Sequence, residues 1–324
     1  MENHTMISQM KAGDAVEGFY LLSQAQVKRT ANGSSYLAAR LSDSSGSMEA
    51  RMWDYSEAIG SGDQGKIVKV RGTVADYRGS GQLVIDKLRL KQKTDQIDPS
   101  ALAPSAPISV EDSSKEVEVI LESITDDDYR GICYTMLERH IGSFLRIPAA
   151  KKVHHAFLHG LLMHTLNMLR IADFLCGLYG SFLDRNLLIA GAFLHDFGKS
   201  GEFLYSELGT VSDYSTAGQL LGHLVLCAEE VGEVGKEIGA AEEKVMLLKH
   251  LILSHHGQPE YGAAVRPACA ESEALAQIDM LDARLEQIRE LLEQLEVNSF
   301  SENSCFLGGR KLYKHTISCG KAET

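Results

Sequence analysis

Residues 188–199 read Leu-Ile-Ala-Gly-Ala-Phe-Leu-His-Asp-Phe-Gly-Lys. An apolar run of helical character delivers His195 and Asp196 side by side, then breaks at Gly198 and Lys199. Neighbouring residues on a helix point about 100° apart. The pair can therefore converge on one point only if that point lies between helices and other residues complete it. This stretch asks for a fold that gathers several helices around the end of one apolar helix.

The histidines answer that demand. Of twelve, ten lie between His140 and His256. His164, His223 and the pair His255-His256 sit in or at the end of Leu-rich helical stretches, where an unpaired imidazole is costly. Asp279 is a carboxylate in the equally apolar Ala-Gln-Ile-Asp-Met-Leu-Asp-Ala. Imidazole and carboxylate without thiolate favour Mn, Fe, Co, Ni or Zn in an open catalytic site. An aspartate can bridge two such ions, and two ions about 4 Å apart suit an in-line phosphoryl displacement.

Upstream the texture is different. Val16–Leu22, Tyr36–Leu41, Ser47–Trp53, Ile67–Ala75 and Gln82–Leu90 are short runs of alternating or β-branched character, separated by Gly-, Asn- and Ser-rich turns. Five such strands predict a small closed barrel, of which the OB-fold is the best-known five-stranded form. Arg40, Arg51, Lys69 and Arg71, with Lys28, Arg29 and Arg78, are interleaved with Trp53, Tyr77, Tyr36 and Tyr55. Cations for phosphates and rings for bases suit single-strand binding. The competing reading puts Trp53 and some tyrosines in the barrel core and the basic residues on solvated faces.

Residues 94–107, Thr-Asp-Gln-Ile-Asp-Pro-Ser-Ala-Leu-Ala-Pro-Ser-Ala-Pro, hold three of the six prolines and predict an extended linker over 94–115 with little to bury. Beyond it, three- and four-residue apolar spacing predicts helices at 117–124, 129–144, 153–179, 185–197, 216–238, 241–254 and 271–295. Asp126–Asp128 should cap the second of these. No strand pattern is expected before about 305, where Phe306–Tyr313 can return as a short basic strand. The fold class is thus multi-domain α and β, with a barrel at 1–93, the linker, and an all-α domain at 116–324.

The 324 residues suit two domains. No run reads as long enough to span a bilayer, and no membrane partner is expected. The N-terminus has neither the basic segment nor the apolar core of a secretory signal. Six scattered cysteines without a CxxC pair argue against a zinc ribbon or a disulfide framework, and the cytoplasm is the expected compartment. The net charge of −12 argues against indiscriminate nucleic-acid binding, but residues 1–93 carry 13 Lys/Arg against 10 Asp/Glu, a net +3, leaving −15 for the remainder. An acidic domain still acts on a polyanion where metal ions supply positive charge.

Here the motifs resemble a known group. His164, His195-Asp196 and Asp279 are similar to the H…HD…D signature of the HD-domain metal-dependent phosphohydrolases. The stretches 154–165, 193–199, 253–262 and 278–283, in that order, resemble the YhaM family, bacterial 3′-5′ exoribonucleases with an OB-fold before an HD domain. The resemblance implies a dinuclear centre of the Mn type that trims single-stranded RNA, in some cases DNA, from its 3′ end. It implies His164, His195, Asp196 and Asp279 as the basic ligand set with Asp196 as the bridge, and His223, His255 and His256 as ligands of the second metal. Lys199 would meet the scissile phosphate, or instead cap the helix end beside Gly198. His155, with His154, would serve substrate contact or proton transfer. Two departures stand out: His159 replaces a small residue of the family and could crowd the site or point outward, and Gly262-Ala-Ala replaces Gly-Ser-Pro in the loop facing the substrate.

The reading is a two-domain 3′-5′ exonuclease in which Arg40, Arg51, Trp53, Lys69, Arg71 and Tyr77 hold the strand. The helical domain hydrolyses its terminal phosphodiester by a metal-activated hydroxide. Co, Fe, Ni or Zn could replace Mn, and a homo-oligomer would help a barrel of modest charge. The rivals are an HD phosphohydrolase of nucleotides or cyclic dinucleotides, which has no need of the barrel, and a non-enzymatic scaffold, which has no need of complete ligand sets.

Overall fold

The computed structural model describes residues 4–316 apart from 31, 54, 56–58, 78–79, 98, 104, 151–156, 207, 210, 294, 305 and 306. His154, His155 and Arg78 therefore lie outside the described residues.

β1 (Ala15–Arg29), β2 (Ser35–Asp43), β3 (Gly46–Met52), β4 (Ile67–Tyr77) and β5 (Ser80–Leu90) close into a barrel in the order β1-β2-β3-β5-β4. β3 and β5 run parallel and all other neighbours antiparallel. β1 is twice the length its sequence pattern predicts. Its first half pairs with β4 and its second with β2, and a register shift between Leu22 and Gln24 lets one strand turn the corner between them. Val16, Tyr20, Leu22, Leu37, Leu41, Val68, Val70, Leu83 and Ile85 fill the interior. Tyr20 is fully buried, and its hydroxyl donates to the Thr5 carbonyl at 2.9 Å.

The linker is not bare. A single turn, α1 (Pro99–Leu102), presses Leu102 and Ala103 onto Phe19, Leu21 and Ile67 of the barrel and Leu208 of the helical region. Apolar side chains among the prolines provide that seam, which corrects the expectation of an extended segment with little to bury. α2 (Val110–Glu122) begins at the Ser109 cap, inside the expected linker.

α3 (Asp127–Phe144) is capped as predicted by Asp126, which accepts from the amides of Asp128 and Tyr129. α4 (Gly160–Tyr179) and α5 (Arg185–Leu194) follow; every residue of α5 from Leu187 onward is buried. A helix apolar on all sides belongs at a core's centre, and α2, α3, α4, α8 and α9 pack around it. By length and composition α4 could cross a membrane, contrary to the sequence expectation, but half of it is buried in this core. After the single turn α6 (Lys199–Glu202) come β6 (Phe203–Tyr205) and β7 (Val211–Tyr214), a short hairpin that the helical pattern did not announce. α7 (Thr216–Ile238), α8 (Glu242–Ser254) and α9 (Ala270–Glu293) complete the bundle. The tail returns as β9 (Tyr313–Lys314), paired with β8 (Ser299–Phe300), which starts before the expected 305.

Candidate metal centre

His195 and Asp196 occupy the turn that leaves α5. The chain then passes so close to α7 that a Cβ on Gly198 would lie 2.1 Å from the His223 carbonyl oxygen. Only glycine permits this approach, and it delivers the HD turn to α7. On α7 itself, Gly222 leaves helical geometry at φ 73° and ψ 162°, just before His223. A left-handed glycine there re-aims the histidine.

Asp196 stands between two groups of donors. Its Oδ2 lies 3.2 Å from His195 Nε2 and 3.7 Å from His164 Nε2. Its Oδ1 lies 3.6 Å from His223 Nε2 and 3.7 Å from His255 Nε2. Asp279 Oδ1 is 3.3 Å from His164 Nε2. His164, His195 and Asp196 form one potential chelating group; His223, His255 and His256 form the other, with donor atoms in each within 4.8 Å of one another. All seven sequence-predicted ligands are thus brought together. Lys199 sends Nζ 2.5 Å from Asp196 Oδ2. It opens α6 rather than capping the end of α5.

Most of the imidazoles are held by their far nitrogens. His164 Nδ1 is 2.7 Å from Asp282 Oδ2, and Asp282 also accepts from Asn167 Nδ2 at 3.0 Å. His195 and His255 donate Nδ1–H to the carbonyls of Ala192 and Ile252 at 2.9 and 2.8 Å. His223 Nδ1 lies 3.1 Å from Glu202 Oε1, which also accepts the His223 amide. Fixing Nδ1 aims Nε2 inward, as metal-binding histidines require. Asp282 and Glu202 escaped the sequence reading. The i, i+3 spacing of Asp279 and Asp282 on a helix was the available signal for the first; no spacing marked Glu202.

Electrostatics reflect the crowding. Burial works against charge on Asp196, but Lys199 and His195 hold its carboxyl well below the usual carboxylate range. Burial also opposes charge on His164, yet bonds to Asp279 and Asp282 carry it up to about 10. Burial, reinforced by His256 and His195, pushes His255 well down.

The donor set fits divalent cations. Among the described residues, Asp196 Oδ1, His223 Nε2 and His256 Nδ1 are buried without hydrogen-bond partners. Orphaned buried acceptors are expensive, and a cation among them removes the cost. His164, His195, Asp196 and Asp279 could hold one ion, and His223, His255 and His256, with Asp196, a second. Asp196, Asp279, His223, His255 and His256 open onto a cavity of about 690 Å³, whose other walls include Tyr214, Tyr261, Met280 and Arg284. Tyr214 and Arg284 had no motif to reveal them.

His140, His159 and His250 have other partners. His140 faces Glu230 and Ser200, and His250 accepts the Ala268 amide. His159 does not crowd the centre. It precedes α4 at φ 66°, bonds to the Leu145 carbonyl and lines a cleft at the domain seam. Gly262, in the departing loop, adopts φ 103° beside His256.

On the barrel the predicted strand-holding residues divide. Trp53 and Tyr77 are 45% and 44% exposed, so they are not core, whereas Tyr55 is buried. The Arg51 guanidinium lies 5.9, 5.8 and 5.1 Å from the ring centroids of Tyr36, Trp53 and Tyr77. Arg40 is instead paired with Glu49 at 2.6 Å, and Lys69 and Arg71 line a separate hollow. The predicted strand-holding residues thus fall on more than one part of the barrel.

A helical bundle that gathers H…HD…D donors in this way defines the HD-domain class, and the HD domain family matches residues 161–284. The 3′-5′ exoribonuclease YhaM of Shouchella clausii is 36% identical over 305 residues, 94% of both chains. YhaM of Listeria innocua is 36% identical over 310 residues, 95% of this chain and 97% of that one. The chain belongs to the family of the 3′-5′ exoribonuclease YhaM.

Proposed function

We propose that the protein is a divalent-metal-dependent 3′-5′ exoribonuclease acting on single-stranded RNA, with single-stranded DNA as a secondary substrate. The observation that carries the reading is Asp196, one carboxylate whose two oxygens face two separate histidine groups. That arrangement supports two ions that would share Asp196; the family resemblance points to manganese, while imidazole and carboxylate donors by themselves suit Co, Fe, Ni or Zn as well. Bound there, the ions supply Lewis acidity and positive charge for in-line phosphoryl displacement.

The chain's own residues do the rest. Asp282 and Glu202 fix the orientation of His164 and His223. Lys199 and Arg284 bring cations to the cavity for the terminal phosphates, and Tyr261, 67% exposed at its rim, offers a ring to the terminal base. The Arg51–Trp53–Tyr77 platform with Tyr36 holds upstream nucleotides on a barrel functioning over residues 1–93, and the helical domain, from α2 onward, carries the chemistry. Free Cys133, Cys176, Cys227 and Cys269 suit a reducing cytoplasm. Phe174, Leu178 and Phe182, each more than 60% exposed near the end of α4, suit a homo-oligomer.

The test is Asp196→Ala. Metal content and RNA hydrolysis should both collapse while circular dichroism still reports a folded chain. A variant that keeps its metal and full activity would overturn the assignment.

A further inference from the structure

We propose, building on that reading, that the RNA strand reaches the metal centre along a cationic track on the β4–β5 pair and through the cleft at the domain seam. The register sets Lys69 directly opposite Arg89 and Arg71 directly opposite Lys87. Like charges facing each other across a sheet are destabilising, so four outward cations in a two-by-two patch call for an anion. Glu17 lies 3.5 Å from Lys69, and Asp95 holds Arg89 at 2.7 and 2.8 Å. Glu17 also faces Arg71 across the β1–β4 pair and Asp86 lines the same face, yet neither Arg71 nor Lys87 enters an ion pair among the described residues, which leaves the patch with cations to spare. The patch lines a hollow of about 530 Å³.

Both ends of this patch lead somewhere. Tyr77, of the aromatic platform, ends β4, and Ile67, which lines the seam cleft, begins it. Eleven residues of strand, roughly 35 Å, join the two with Arg71 and Lys69 between. The cleft, about 450 Å³, carries Lys91 from the residue after β5, with Arg146 and His159 from the helical domain. Arg146 shares one loop with Ala149 and Ala150, which wall the metal cavity. Leu208 in the cleft and Phe203 in the cavity belong to the same β6–β7 hairpin. Platform, patch, cleft and cavity thus follow one another. A linear row of cations suits an extended polyanion, whereas a mononucleotide would occupy only one of these spaces.

The experiment compares wild type, Arg71→Gln/Lys87→Gln, Arg146→Gln and Trp53→Ala in Mn²⁺. Binding of a phosphorothioate single-stranded 12-mer is followed by anisotropy as a function of salt. Removing one cation–phosphate pairing should flatten the log–log salt dependence by roughly 0.7. In addition, the ratio of kcat/KM on a 12-mer RNA to that on a dinucleotide should fall about tenfold in both track variants. Unchanged slopes and ratios in those variants, with binding weakened only by Trp53→Ala, would overturn the track and place the strand on the β2–β3 face alone. A wild type that cleaves neither RNA overturns the proposed activity instead, and the binding slopes still decide the track.

Discussion

Lys199 Nζ lies 2.5 Å from Asp196 Oδ2, and both residues are buried. The lysine thus neutralises the carboxylate on the side that faces His195 and His164. Removing one partner of a buried ion pair costs about 3–5 kcal/mol because the other charge is stranded. Lys199→Met should therefore lower the melting temperature of the metal-free protein and enlarge the increment produced by Mn²⁺, since the cation then supplies the missing charge. RNA cleavage should fall at least tenfold. Thermal melts with and without metal check this, and equal increments in variant and wild type would contradict it.

Asp282 and Glu202 touch imidazoles rather than the space between them. Asp282→Ala and Glu202→Gln should each weaken metal binding about tenfold to a hundredfold. Titration calorimetry reads the affinity, and circular dichroism should show the fold retained. Unaltered affinity would reduce both carboxylates to packing roles.

Trp53 and Tyr55 make a paired contrast on the barrel. Trp53 is exposed beside Arg51, so Trp53→Ala should cost about 1–3 kcal/mol in binding single-stranded RNA and little stability. Tyr55 is buried, and its hydroxyl donates to the Ile59 carbonyl at 2.6 Å. Tyr55→Ala should destabilise the barrel by roughly 3 kcal/mol. Denaturation midpoints and anisotropy titrations separate the two effects.

That contrast shows what the sequence could and could not reveal. The H…HD…D positions were legible because polar residues in apolar helices stand out and the three motif segments belong to separate helices, α4, the end of α5 and α9. Trp53 and Tyr55 were not separable, because both lie where β3 ends and regular alternation stops. β1 was legible only to Leu22: past the register shift its face pattern changes and most residues turn outward. The β6–β7 hairpin is too short for a period to register. Leu102 and Ala103 were hidden among prolines, and their burial depends on Leu208, more than a hundred residues away.

Glu230 links α7 to α3, 2.8 Å from His140 and 3.6 Å from Arg139. The His140 bond, against an opposing effect of burial, holds its carboxyl below the ordinary value. A depressed folded value stabilises the protein above the unfolded value of about 4.5, and that contribution is lost as pH falls through the folded one. Glu230→Gln should remove roughly 1 kcal/mol at pH 7 and make the urea midpoint less dependent on pH between about 5 and 3. Parallel acid profiles for variant and wild type would contradict this.

The central claim concerns direction and metal. Incubation with Mn²⁺ and 5′-labelled single-stranded RNA should give a ladder that shortens stepwise from the 3′ end, with no products when the metal is chelated. Internal cuts, release of the label as a mononucleotide at the outset, or equal cleavage in chelator would contradict the account.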